Sequence, residues 1–227
     1  MNNVDIERVK IFDFLGLNIS ETLNWNEHIN EISKKITKVL GVMSRIKRYI
    51  SSYILRMIYN SLILPHLYYA ILAWGFSNSR IFKLQKRAVR IICKDKYNAH
   101  TDPLFKKLTL LKVHDIFKLQ CTKFYYKHTH NKLPDYFRDF FRRNSEIHGY
   151  QTRNREQLRP QTMNNISSRS CIRFHIPNVI NNLPTNVTDK IGTHSLSGFS
   201  HYVKLHLLEK YPIECVIQNC YVCNSSP

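Results

Sequence analysis

The sequence predicts a mainly α protein: a helical bundle preceded by a short β-hairpin and followed by an irregular basic C-terminal segment with a few helices. Three observations carry this. Residues 9–19 alternate apolar side chains in the manner of strands. From Asn24 to about residue 141, apolar residues recur at helical spacing. Beyond Arg142 the texture changes to Asn, Ser, Thr, Arg and Pro. With 227 residues, 43% of them apolar and only six glycines, the chain can build one sizeable core, and disorder throughout is excluded.

In the N-terminal stretch the strand phase slips at Phe12 and again at Leu15, beside Gly16, which predicts a tight bend or a close backbone approach. Asn24 followed by Glu27 has the spacing of a capping box. The helix it would open carries Ile29, Ile32, Ile36, Val39, Leu40, Met43 and Ile46 on one side, and Lys34, Lys35, Lys38, Arg45, Lys47 and Arg48 on the other. Ser51 or Ser52 would cap a second helix, with Ile54, Leu55, Ile58 and Leu62 inward, ending near Pro65. Gly75 marks a stop, and Ser77 to Ser79 offer a cap for a helix over 80–94. There Ile81, Leu84, Ala88, Ile91 and Ile92 share a face, while Lys83, Lys86, Arg87, Arg90 and Lys94 gather opposite.

Residues 103–111 and 113–128 read as two more helices, the second rich in aromatics (Phe117, Phe124, Tyr125, Tyr126) that belong in a core. Asp135 and Asp139 fit a structural helix. Residues 142–170 read as a basic arm, Pro177 and Pro184 punctuate the stretch beyond it, and a last helix spans about 195–210.

Charge narrows the function. Lys and Arg number 34 against 16 Asp and Glu, a net charge of +18. No acid lies between Glu31 and Asp95, a span holding thirteen of the cations. A solvated helix face gains about 0.2–0.5 kcal/mol from each i,i+4 ion pair. A segment that forgoes them invites an external polyanion, and nucleic acid is the expected partner. Residues 57–76 are uncharged and long enough to cross a bilayer, so a membrane-associated protein anchored there is the alternative. Asn60, Ser61 and the Pro65-His66 pair favour instead two core helices broken at Pro65.

Catalytic signatures are missing: there is no GxSxG, P-loop or HExxH, and no carboxylate pair suited to two metal ions. The six cysteines are dispersed, and the polar first ten residues do not form an export signal, so reduced thiols in nucleus or cytoplasm are expected. Cys215, Cys220 and Cys223 could bind zinc, with His206 or His201 as the fourth ligand. The competing reading is a terminal tail with free thiols, and no other cofactor is expected.

The motifs FLGLNIS, then LNWNEHI with Lys35 after five more residues, LRMIYNSLILPHLYYAILAWG and LQKRAVRII occur in an order that resembles a known arrangement. They are similar to the region just downstream of the catalytic palm in reverse transcriptases of non-LTR retrotransposons, LINE-type and jockey-like elements in particular. FYYKHTHNKLP, HGYQTRN, NNLP, SLSGF and HLLEKY extend the resemblance over nearly the whole chain. Ile180 departs from it, standing where that family carries Trp.

The resemblance implies a palm remnant with a primer-grip hairpin over 1–20, in which Phe14, Leu15 and Gly16 approach a primer end. It implies a thumb-like basic bundle over 21–95, a continuing helical region over 96–141, and a basic segment over 142–227. In that arrangement the lysines and arginines of the two basic faces grip template–primer phosphates, and Tyr150, Thr152 and Arg153 add contacts from the arm. The catalytic palm with its aspartates, the fingers and the endonuclease of the family are not in these residues. The expectation is therefore a fragment of an RNA-directed DNA polymerase that binds RNA or DNA without polymerising alone. An inert relic or an interaction scaffold is the rival.

Overall fold

The computed structural model describes residues 8–76, 79–147, 149–161 and 171–215. Strands β1 (Ile11–Phe14) and β2 (Leu17–Ser20) pair antiparallel, with Ile11 opposite Ser20 and Phe14 opposite Leu17. The bend expected beside Gly16 is a two-residue turn. Leu15 and Gly16 have φ of 51° and 78°, the positive pair that a type I′ hairpin requires. Glycine takes this conformation freely, whereas Leu15 is held in it. The Gly16 amide donates to Asp13 Oδ1 at 2.9 Å, and the Tyr69 hydroxyl donates to the Leu15 carbonyl.

Helix α1 (Asn26–Ile46) buries Ile29, Ile32, Ile36, Leu40 and Met43. It begins one residue later than the capping-box spacing suggests, with Trp25 rather than Asn24 at the N-cap. The backbone amide of Asn24, which Glu27 would have bonded, donates instead to Ser20 Oγ at 3.1 Å. The Asn24 side chain still caps, accepting from the Asn26 amide at 3.1 Å. Helix α2 (Ser52–Leu62) is capped by Ser51 Oγ, which accepts from the Ile54 amide. Its inward ladder is Leu55, Tyr59 and Ile63. Ile54 and Leu62, expected inside, are 44% and 51% exposed, because the phase is set by Tyr59, whose hydroxyl has a buried partner.

The uncharged stretch 57–76 doubles back on itself through α3 (Leu64–Tyr68) and α4 (Ile71–Trp74). Pro65 lies in the first turn of α3, where its missing N–H is tolerated. The sharper break is Ala70, at φ 47°. The indole of Trp74 is fully buried and donates to the Tyr69 carbonyl, freed at that break, at 2.9 Å. Gly75 is required by packing: a Cβ there would lie 2.5 Å from the Ile71 carbonyl oxygen and 2.8 Å from the Phe117 ring. Among the described residues no helix is long and apolar enough to cross a membrane.

Helix α5 (Ser79–Cys93) follows, then α6 (Thr101–Lys107), which stops short of residue 111 because Thr109 takes φ 51°. Ser77, one of the caps expected for α5, lies outside the described residues. Helix α7 (Val113–Thr129) is the hub, packing on α3, α4, α5, α8 (Ile172–Asn181) and α11 (Leu196–Glu209). Its buried residues face nearly every direction, as a central helix requires, and they include Phe117, Tyr125 and Tyr126. Asp135–Phe137 forms a 3-10 turn in place of the helix expected around Asp135 and Asp139, with Arg138 paired to Asp135. Two one-turn helices, α9 (Thr185–Thr188) and α10 (Lys190–Thr193), lead to α11, capped by Ser195. One contiguous apolar cluster runs from Ile29 to Tyr211.

Pro177 lies inside α8, where a break was expected. Lacking an N–H, it leaves the Arg173 carbonyl without its helical donor. The Gln161 amide fills that place at 3.3 Å, which fastens the end of the preceding arm to the helix.

Candidate nucleic-acid interface

Helices α1 and α5 lie side by side and parallel. Near their N-terminal ends Arg80 donates to Asn30 Oδ1, and at their C-terminal ends Ser44 and Lys47 share a cleft with Arg87, Arg90 and Ile91. Each helix turns its apolar stripe to the core, so the polar stripes flank one seam on the outside. Lys34, Lys38, Arg45 and Arg48 of the first stripe are exposed, as are Lys83, Arg87 and Lys94 of the second. None of these seven makes an ion pair among the described residues. Lys35 does, with Glu31 at 3.4 Å, and among the described residues it is the only cation between residues 32 and 94 that does.

The structure divides the five cations expected on one face over 80–94. Lys83, Arg87, Arg90 and Lys94 follow one another at steps of four, three and four residues, a single stripe along the helix. Lys86 lies to its side, with Nζ 4.5 Å above the Phe82 ring. Arg90 is half-buried, and its Nε donates to the Ala99 carbonyl at 2.8 Å. Burial pulls its guanidinium below the ordinary value, and neighbouring Asp95 acts in the opposite direction. Lys94, at φ 57°, ends the helix. The Asp95 amide then bonds back to the Arg90 carbonyl at 3.0 Å.

At the C-terminal end of the seam a cleft of about 400 Å³ opens, lined by Ser44, Lys47, Arg87, Arg90, Ile91, Asp95 and Tyr97. Two helices forty residues apart thus bring three cations to one concavity that holds a single carboxylate. On the other side of Arg90 lies a second cleft, of about 370 Å³, lined by Lys86, His100, Asp102 and Cys215 among others.

The remaining expected site residues are placed elsewhere. Phe14, Leu15 and Gly16 form the exposed tip of the hairpin, which rests on α1 through β2. Tyr150, Thr152 and Arg153 are exposed on the arm. The arm is stapled to itself by Arg143 and Glu156 at 3.2 Å, and to α8 by paired bonds between Leu158 and the Asn181 amide. Among the described residues no hydrogen bond or ion pair joins residues 143–158 to α1 or α5. Of the suggested zinc ligands, Cys220 and Cys223 lie outside the described residues. Cys215 is half-buried beside Pro212, and His206 on α11 has a buried, unpartnered Nε2 whose surroundings lower its pKa through desolvation. No group of three His, Cys, Asp or Glu fit to hold a metal occurs among the described residues.

Sequence reasoning missed two residues. Gln85 sits on the apolar face of α5, 1% exposed. Its Nε2 donates to Tyr59 Oη and to the Leu111 carbonyl, both at 2.9 Å, while its Oε1 accepts from the Val113 amide at 2.8 Å. Its signal was present: a lone polar residue four positions after Ile81 and three before Ala88. The other is Tyr97, an aromatic in a polar turn, 89% exposed at the rim of the cationic cleft.

No family model, curated protein or solved structure matches the chain.

Proposed function

We propose that this chain is a nucleic-acid-binding unit that tracks phosphates along the α1–α5 seam. We further propose that it corresponds to the thumb and post-thumb region of a non-LTR, jockey-like reverse transcriptase. The observation that carries the binding reading is the convergence of Lys47, Arg87 and Arg90 on one cleft, at the end of two exposed cationic stripes in which, among the described residues, only Lys35 has an acidic partner. Mutual repulsion along such a face, which dissolved salt only screens, favours a polyanionic ligand, and a phosphate backbone is one. The order of motifs along the chain supports the narrower assignment. The ligand on this reading is RNA, DNA or their hybrid, held through its backbone with no base sequence selected.

The test is the salt dependence of affinity for a 20-base-pair duplex. Wild type is expected to lose affinity steeply with salt. Replacing Lys34, Lys38, Lys83 and Arg87 together by Gln should make the log–log slope shallower by roughly three to four units, at about 0.9 per phosphate contact. All four are exposed and unpaired, so the fold is expected to survive, which circular dichroism checks. An unchanged slope would sink the assignment of this face.

A further inference from the structure

The cleft at the C-terminal end of the α1–α5 seam differs from the stripes that lead to it. We infer that it is a seat for one unpaired nucleotide, with a phosphate on Lys47, Arg87 and Arg90 and a base on the ring of Tyr97. This inference rests on the reading of the seam as a nucleic-acid surface and adds what the cleft selects: a single strand over a duplex.

Four observations carry it. The first is shape. A concavity of about 400 Å³ lies at the lower end of the range of small-ligand pockets and admits a nucleotide, whereas a rigid duplex rests on stripes and does not enter. The second is the aromatic ring. Tyr97 is 89% exposed yet lines the cleft, and it is not left to swing on a loose loop. The turn that presents it is closed by the Ala99 amide to the Lys96 carbonyl at 3.1 Å, and anchored at its start by the Asp95 amide on Arg90. An exposed tyrosine face gains from stacking only on a base whose own face is bare, and in a duplex those faces are covered.

The third observation is the state of Arg90. Its Nε is committed to the Ala99 carbonyl, which fixes the plane of the guanidinium while leaving both terminal nitrogens free of any other partner among the described residues. A guanidinium so fixed loses little freedom when its remaining N–H groups meet two phosphate oxygens. The fourth is charge. Both helices point their C-terminal ends at the cleft, and each end carries about half a negative charge. Those ends and Asp95 together offset about two of the three cations. The remainder is about one positive charge, the complement of one phosphodiester and not of a run of them.

The experiment measures affinity at fixed salt for a fluorescein-labelled 20-nucleotide oligo(dT) and for a blunt 20-base-pair duplex, using the whole chain. Tyr97→Ala is expected to weaken oligo(dT) binding by roughly fivefold to a hundredfold and to leave duplex affinity within about twofold. Tyr97→Phe, which keeps the ring, is expected to retain wild-type affinity for both. If Tyr97→Ala binds oligo(dT) as wild type does, or weakens both ligands equally, the seat is refuted while the seam stands. If wild type binds neither ligand in a salt-dependent way, the seam and the seat fall together. Because Tyr97 makes no buried contact, loss of fold is not expected to obscure the result, and an unaltered thermal transition verifies this.

Discussion

The helices α5 and α7 are equally essential to the core and opposite in what they do with their polar residues. Helix α5 has one buried face and one cationic face, and most of that second face has no acidic partner. Helix α7 is surrounded, and the charges at its N-terminal end are tied inward. Lys118 pairs with Asp115 at 2.9 Å, and Lys112 with Asp102 at the same distance. The hydroxyl of Tyr211, from beyond α11, donates to Asp115 and accepts from the Lys112 amide at 3.0 Å. Lys106 likewise donates to the Leu208 carbonyl in the last turn of α11, where a cation also suits the helix dipole. One chain thus uses its lysines in two ways. Where acids are supplied, lysines hold the fold, and where they are withheld, lysines face solvent.

That contrast can be broken most severely at Gln85, which joins the two regions. Gln85→Leu keeps the volume but strands the Val113 amide and the Leu111 carbonyl in the core. A loss of roughly 3–5 kcal/mol is expected in denaturant unfolding. Gly75→Ala, on the seam between α4 and α7, should lose about 1–3 kcal/mol by overpacking against Ile71 and Phe117. Tyr211→Phe, on the inward-tied side, should lose about 1–3 kcal/mol by removing the partner of Asp115 Oδ2 and of the Lys112 amide, with no change in salt-dependent binding.

The same tyrosine has a pH signature. Burial, reinforced by the Asp115 charge and hydrogen bond, raises the Tyr211 pKa above its ordinary value near 10, so the folded state holds the proton longer than the unfolded one. Stability from this group is complete below about pH 10 and declines as pH rises beyond it. Unfolding measured from pH 8 to 11 should show this decline, and Tyr211→Phe should flatten it, although Tyr59, raised by burial as well, keeps part of the slope. At the acid end the sign reverses. His28 is 3% exposed between Trp25 and Trp74, with neither ring nitrogen bonded, and desolvation lowers its pKa. Its contribution is present above about pH 6.5 and fades as pH falls. His28→Gln should reduce the acid sensitivity of unfolding between pH 6.5 and 5.

The smallest effect belongs to the exposed pairs. Arg138→Gln with Arg143→Gln removes two cations without touching the seam. It should cost less than about 1 kcal/mol and leave the salt slope as it was, a control on whether location or mere charge governs binding.

The same contrast decides how much of the molecule was legible in the sequence. The amphipathic helices α1 and α5 announced both their cores and their cationic faces, since a one-sided helix writes its environment into a 3.6-residue period. The exposure of Ile54 and Leu62 was not legible, because the phase of α2 depends on a hydroxyl–amide bond between residues twenty-six positions apart. Neither was the shortened start of α1, decided by Ser20 rather than by the residues of the helix. Tyr97 was invisible for another reason: a turn residue gains meaning only from the cleft that two distant helices build beside it.

Pro177 shows how a flaw in one element becomes an address for another. A helix that satisfied all its own carbonyls would offer the Gln161 amide no acceptor at Arg173. By withholding one donor, the proline leaves a lone acceptor at a defined height on α8, which the Gln161 amide takes while the Arg173 guanidinium donates to Gln161 Oε1 at 3.4 Å. The backbone half of that contact would survive any residue but proline at 161, whereas Leu158, 5% exposed, keeps its side chain committed to the core.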